Sequence, residues 1–207
     1  MIGYWTNQNP FNVGYTGNDQ LQNAREMYGY FGAKGWTLEA LSGMLGNMND
    51  ESWLNPGQWQ TGGIIEDPDP NNSEGFGLVQ WTPWQNYPVA PFGTWIAGAN
   101  WRTDYIRQLD RIQYEVEYDV QHPNQGQWIT SAQSGNLTFK QFTESTDTPS
   151  NLAYYFFYGY ERGTWSIHRQ QAAQFWYDTL QNYGPLPPAG RRLPIWLLFK
   201  LREANYT

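Results

Sequence analysis

The stretch "TLEALSGMLGNMNDESWLNPGQW", Thr37 to Trp59, decides how this chain folds. Leu38, Leu41, Leu45 and Met48 recur at helical spacing behind Thr37, a residue that caps helix N-termini. The pattern predicts a helix that runs to Glu51 and is broken by Ser52, Trp53, Asn55, Pro56 and Gly57. Glu51 lies three residues beyond Met48, which turns it toward the buried side. Met48, Trp53 and Trp59 would then surround it with apolar surface. A carboxyl so placed loses hydration, and desolvation favours its protonated form. A lone glutamate at a helix end also reads as a structural terminus.

Before this helix, "NDQLQNAREMYGYFGAKG" predicts another, capped by Asn18 or Asp19, with Leu21, Ala24, Met27 and Tyr28 on one face and Gly35 closing it. Residues 1–17 read as an N-terminal arm. After Pro56 the helical period is lost. "EDPDPNNSEGFG" carries Glu66, Asp67, Asp69 and Glu74 among breakers, and "FGLVQW" reads as a short strand. "RTDYIRQLDRIQYEVEYDV" predicts a strong helix with Ile106, Leu109, Ile112, Val116 and Val120 inward. "LTFKQFTES" predicts a short helix capped by Thr138. "TPSNLAYYFFYGYER" begins on Thr148 as cap with Pro149 at the first helical position. "SIHRQQAAQFWYDTLQNYG" ends on Gly184. The fold class expected is α+β, mostly helical, with a small β or irregular insertion after the second helix. Residues 18–184 form the domain, and 185–207 a Pro-rich linker with an apolar tail. "LPIWLLFKL" in that tail reads as a docking segment, a truncated interdomain helix or a weak membrane-seeking patch.

Composition narrows the function. The 207 residues include 12 Trp, 15 Tyr and 10 Phe, so 18% of the chain is aromatic. Aromatic faces stack on sugar rings, and their polar tips bond hydroxyls. That points to a carbohydrate partner, with an aromatic-rich core as the alternative. The net charge of −7 offers no basic patch, which argues against nucleic acid. The chain has no cysteine, which excludes disulfides and thiolate chemistry. His122 and His168 stand far apart in polar sequence and read as surface residues, so neither a metal nor another cofactor is expected. "MIGYWTNQNPF" has no basic and apolar leader pattern, and no apolar run approaches the ~18 residues that span a bilayer.

Glycoside cleavage needs a protonated acid beside the leaving oxygen and usually a second carboxylate. Glu51 suits the first role. Asp67, Asp69 and Glu74 are candidates for the second, although an acidic loop is commonly just solvated.

Taken in order, "GMLGNMNDESWLNPGQWQ", a polar loop, "GFGLVQWTP" and "YER" resemble the phage tail lysozyme family over roughly residues 19–184. The wider lysozyme-like superfamily shares a Glu-Ser step after a helix, here Glu51-Ser52. It also shares a "GLxQ" element, here Gly77-Leu78-Val79-Gln80. The resemblance implies a lysozyme-like fold with Glu51 as catalytic acid and Gln80 facing the sugar cleft. It places Tyr160 and Glu161 near the cleft floor, although Glu161 reads more strongly as structural, through Arg162 or a helix end. The second carboxylate does not carry over cleanly. Glu74 is favoured because it abuts the "GFGLVQ" element. Trp53 and Trp81 join Gln80 and Tyr160 as sugar-binding candidates.

The implied activity is a muramidase acting on peptidoglycan glycan strands. The alternatives are a lytic transglycosylase and a catalytically silent tail or wall-binding module. The resemblance further implies a virion location at the phage tail tip, other tail proteins as partners and no secretion signal. Members often carry a metal-dependent peptidase domain after a linker; residues 185–207 are too few for one.

Overall fold

A computed structural model of the chain describes residues 16–58, 60, 74–82 and 105–185. Six helices make up the described domain: α1 (Gly17–Gly32), α2 (Leu38–Ser52), α3 (Tyr105–Gln121), α4 (Phe139–Thr143), α5 (Pro149–Phe156) and α6 (His168–Tyr183). A π-helical turn, Phe157–Glu161, continues α5 without a break. The first 15 residues, the Asp67/Asp69 loop, Trp59 and the tail with "LPIWLLFKL" lie outside the described residues.

Caps set the helix starts. Thr37, Thr138 and Thr148 each accept a backbone N–H three residues on, and Pro149 follows the last of them as expected. The α1 cap differs from the sequence expectation. Thr16 holds it, in a reciprocal capping box with Asp19, whose carboxylate accepts from the Thr16 N–H at 2.8 Å. Asp19 is thus the third residue of the helix, and α1 begins at Gly17. It ends at Gly32, and Gly35 takes a φ of 88° in the turn that follows.

α2 is the central helix, and two glycines make it so. A Cβ at Gly43 would stand 2.7 Å from the Leu152 Cβ of α5, and one at Gly46 2.8 Å from the Ala173 Cβ of α6. Glycine lets both neighbours approach to backbone distance, while Leu41, Met44, Leu45 and Met48 fill the core on either side.

Below α2 lies an aromatic core. Trp128 stacks on Phe139 with centroids 4.7 Å apart, and Phe156 on Tyr160 at 4.8 Å. Phe142 packs between them. Much of the aromatic content is therefore core, while Trp53, Phe175 and Tyr183 are exposed.

Two expectations are corrected. Val120 of α3 is 59% exposed, and Asp119 takes the inward position instead. The Asp119 carboxylate accepts from the backbone N–H groups of Phe139 and Asn124, which repays its burial. "FGLVQW" is no strand, and no β-strand occurs among the described residues. Phe76 and Trp81 exchange backbone hydrogen bonds of 3.2 and 3.1 Å in a single isolated bridge. Gly77 at φ 85° and Gln80 at φ 47° turn the four residues between them back on themselves, so pairing cannot extend. The described part of the insertion is irregular, and the described fold is helical.

Candidate active site

α2 delivers Asp50 and Glu51 to the wall of a cavity of about 670 Å³. Val79, Gln80, Trp81 and Thr82 line it from the Phe76–Trp81 turn, joined by Gln60. Gln127, Tyr160, Glu161, Arg162 and Gly163 complete the lining.

The backbone just past Glu51 is fixed in an uncommon shape. Trp53 and Leu54 end α2 with φ of 55° and 60°, a left-handed pair that side chains disfavour. Packing holds it: Leu54 is fully buried, and Asn23 of α1 donates to its carbonyl at 2.9 Å. Ser52 explains the Glu-Ser step. Its hydroxyl contacts the carbonyl oxygens of Met48 at 3.1 Å and Leu78 at 2.9 Å, tying the "GLVQ" turn to the helix that carries Glu51. Gln108 of α3 fastens the same turn. It accepts from the Leu78 N–H at 2.9 Å and donates to the Pro56 carbonyl at 2.7 Å.

Among the described residues Glu51 does not rest against apolar surface alone, and Trp59, one of the neighbours expected around it, lies outside them. Trp53 is 65% exposed, and the nearest partner is Arg169 of α6, whose Nη2 lies 2.6 Å from Glu51 Oε1. Oε2 of Glu51 makes no hydrogen bond among the described residues. Arg169 is itself buried: Nη1 approaches the Asn47 carbonyl and side-chain oxygens at 3.4 and 3.3 Å. Its guanidinium stands 5.0 Å from the Phe157 ring, and Nε lies 3.7 Å from Asp50. The pairing missed in the sequence is the one between Glu51 and Arg169. A signal for it existed, because Arg169 occupies the apolar stripe of α6 with Ala173, Trp176 and Leu180. A cation on that stripe needs a buried anion.

Glu161 joins the same cavity at the end of the π-helical turn. Its carboxyl is held well above the usual carboxylate range, first by burial and then by the charge of Glu51. Burial likewise raises Glu115 of α3, which lies under the floor. Glu115 accepts from Arg111 Nε at 2.5 Å and from the Tyr160 hydroxyl. Arg162 does not pair with Glu161 as the sequence suggested. Its Nη1 donates to the Gln127 carbonyl at 2.7 Å and approaches that of Gly159 at 3.5 Å.

Of the other sequence candidates, Gln80, Trp81 and Tyr160 line the cavity. Gln80 turns its Nε2 away to the carbonyls of Gln58 and Gly77, at 3.0 and 2.9 Å, so it fastens the turn. Tyr160 is buried, with its hydroxyl directed to Glu115 and its ring stacked on Phe156. Glu74, half-buried, and Trp53 are not among the lining residues. Among the described residues no group of acids and histidines is arranged to hold a metal ion. Nor is any described helix long and apolar enough to cross a membrane.

Known proteins share this arrangement of sequence. Residues 22–180 match the family model for phage tail lysozymes. The chain is 39% identical over 165 residues to Morphogenesis protein 1 of Bacillus phage B103. That alignment covers 78% of this chain and 40% of the relative, so the chain spans about two fifths of the length of the curated relative. With a helix-end glutamate at the wall of a polar cavity and a family match over most of its length, the chain belongs to the phage tail lysozyme family.

Proposed function

We propose that this chain is a muramidase, cleaving the β-1,4 bond between N-acetylmuramic acid and N-acetylglucosamine so that a phage tail can penetrate the host wall. One observation carries the reading. Glu51 lines a polar cavity with one carboxyl oxygen fixed by Arg169 and the other left for a substrate atom. A general acid needs that combination of reach and fixed orientation.

In this mechanism Glu51 protonates the glycosidic oxygen from Oε2, and the leaving sugar departs. The Glu51 carboxylate so formed faces the Arg169 guanidinium, which stabilises the charge as it develops. The same carboxylate then takes a proton from the incoming nucleophile. Gln80, Trp81 and Tyr160 contribute to the sugar-facing wall as residues that line the cavity. Glu74 enters this scheme only as a carboxylate near the turn, outside the described lining.

A second reading is favoured by one feature of the lining. Asp50 is paired with Arg169 at 3.7 Å, and Glu161 has the surroundings of a neutral acid, so neither is a free, unpaired carboxylate. With Glu51 acting alone, the nucleophile can be the substrate's own C6 hydroxyl, as in a lytic transglycosylase. Digestion of purified cell walls followed by mass spectrometry of the products decides among the readings. New reducing ends support the muramidase, anhydro ends the transglycosylase, and intact walls a silent module.

A further inference from the structure

Glu161 is the last residue of the π-helical turn that extends α5, and π turns inside helices recur at functional sites. Its oxygen Oε1 is sealed from solvent and has no hydrogen-bond partner. Charged and titratable groups face it from every side. α2 supplies Glu51 and Asp50, α6 supplies Arg169, and α3 supplies Glu115. Its own segment adds Tyr160 and Arg162.

Several of the donors among these are committed elsewhere, and the one that is not, Arg169 Nε, lies 3.7 Å from Asp50 and makes no hydrogen bond to Glu161. Arg169 directs Nη2 to Glu51 and Nη1 to Asn47. Arg162 directs Nη1 to backbone carbonyls, and Tyr160 donates to Glu115. A purely structural glutamate would be expected to take one of these donors. A sealed carboxyl oxygen that receives none suits a neutral acid better than an anion, because a buried unpaired charge is far more costly. Burial and the neighbouring Glu51 charge act in the same direction, holding the proton on Glu161.

We propose that Glu161 is the second carboxyl of the site and the source of the proton that Glu51 delivers. The proton leaves the Glu161 carboxyl and lands on the Glu51 carboxylate. Glu161 becomes the anion, facing Arg169 and Arg162; the pair carries one negative charge through this transfer, and a second once the proton has left for the glycosidic oxygen, until the nucleophile's proton returns to it. Glu51 then passes the proton to the glycosidic oxygen. This arrangement lets Glu51 rest as an anion oriented by Arg169 and still act as an acid. It rests on the reading of Glu51 as the acid, and Glu161 acts only through Glu51.

The test is the pH profile of wall cleavage for the wild type and Glu161→Gln. Without the second carboxyl, Glu51 has no reserve proton, and the alkaline limb moves to lower pH. The ratio of the rate at about pH 8 to that at about pH 5 falls about tenfold or more relative to wild type. Rates scaled by one factor at every pH would mark a structural residue and overturn the proposal. Carboxyl 13C NMR of glutamate-labelled protein gives a readout without substrate. A protonated signal at neutral pH should vanish in Glu161→Gln. In Glu51→Gln it should titrate at lower pH, since its negative neighbour is gone; this second comparison stands even where Glu161→Gln does not fold. No such signal, or one unmoved in Glu51→Gln, overturns the proposal. If instead Glu51→Gln cleaves walls like the wild type, the Glu51 reading fails, and the NMR comparison still reports on the pair.

Discussion

Arg169 Nη2 lies 2.6 Å from Glu51 Oε1, joining α6 to the last turn of α2 across 118 residues of sequence. The contact closes at a point where Gly46 lets the two helix backbones meet. The side-chain placement of Arg169 against Asn47, Asp50, Glu51 and Phe157 therefore serves both the core and the cleft.

Arg169→Met should lower stability by about 3 kcal/mol, because it removes one partner of a largely buried ion pair and strands the other. Wall cleavage should fall as well, by about tenfold or more, as Glu51 loses its orientation. Arg169→Lys keeps the charge but not the fork that reaches Asn47 and Glu51 together, so it should recover stability better than rate. Thermal melts beside turbidity assays separate the two effects. A Met variant that melts with the wild type would contradict the role given to the pair.

Gly46→Ala should destabilise by more than about 2 kcal/mol, since the new methyl meets the Arg169 carbonyl oxygen and Ala173 Cβ. Gly32→Ala is the control. Its methyl meets only Tyr28 at 3.7 Å, an ordinary contact. Denaturant melts of the two variants should diverge, and equal midpoints would show that α2 and α6 can part at little cost.

Gln108→Leu leaves the Leu78 N–H and the Pro56 carbonyl without their shared partner in a buried place. Each such loss costs about 1–3 kcal/mol, so the variant should lose clearly more stability than Ser52→Ala. Calorimetry orders the two. The reverse order would mean that Ser52, not Gln108, fastens the turn.

Glu161 also predicts a pH-dependent stability. Its native carboxyl titrates above the ordinary value of 4.5, so the folded state keeps a proton that the unfolded chain releases. Stability from this group is full below that ordinary value and is lost as pH rises toward the native one. An amide has no such loss. The melting temperature of Glu161→Gln relative to wild type should therefore climb between about pH 4 and pH 8. A constant difference across that range would show that the native carboxyl titrates normally.

The helical parts were legible because their signals are local. Thr37, Thr138 and Thr148 each cap a helix whose buried stripe follows at fixed spacing. Where a polar residue competed for an inward position, that logic failed, as at Asp119 in place of Val120. "FGLVQW" has strand composition, but its shape is imposed by positive φ at Gly77 and Gln80 and by Gln108 from a distant helix. The surroundings of Glu51 failed for the same reason: the apolar neighbours are near it in sequence, whereas Arg169 and Glu161 arrive from far along the chain. Local sequence placed Glu51 at the end of α2, and only the fold supplied its partners.

The most direct measurement is wall cleavage by Glu51→Gln, with circular dichroism to show that the fold is kept. The amide preserves shape but has no acidic proton, so the rate should fall by more than ~100-fold. Its ion pair with Arg169 is replaced by a hydrogen bond from the guanidinium to the amide oxygen, with Asp50 left as counter-charge, and the native helical spectrum should survive the change. A folded Glu51→Gln variant that keeps more than about a third of the wild-type rate, far above the loss expected for a missing general acid, would contradict the account.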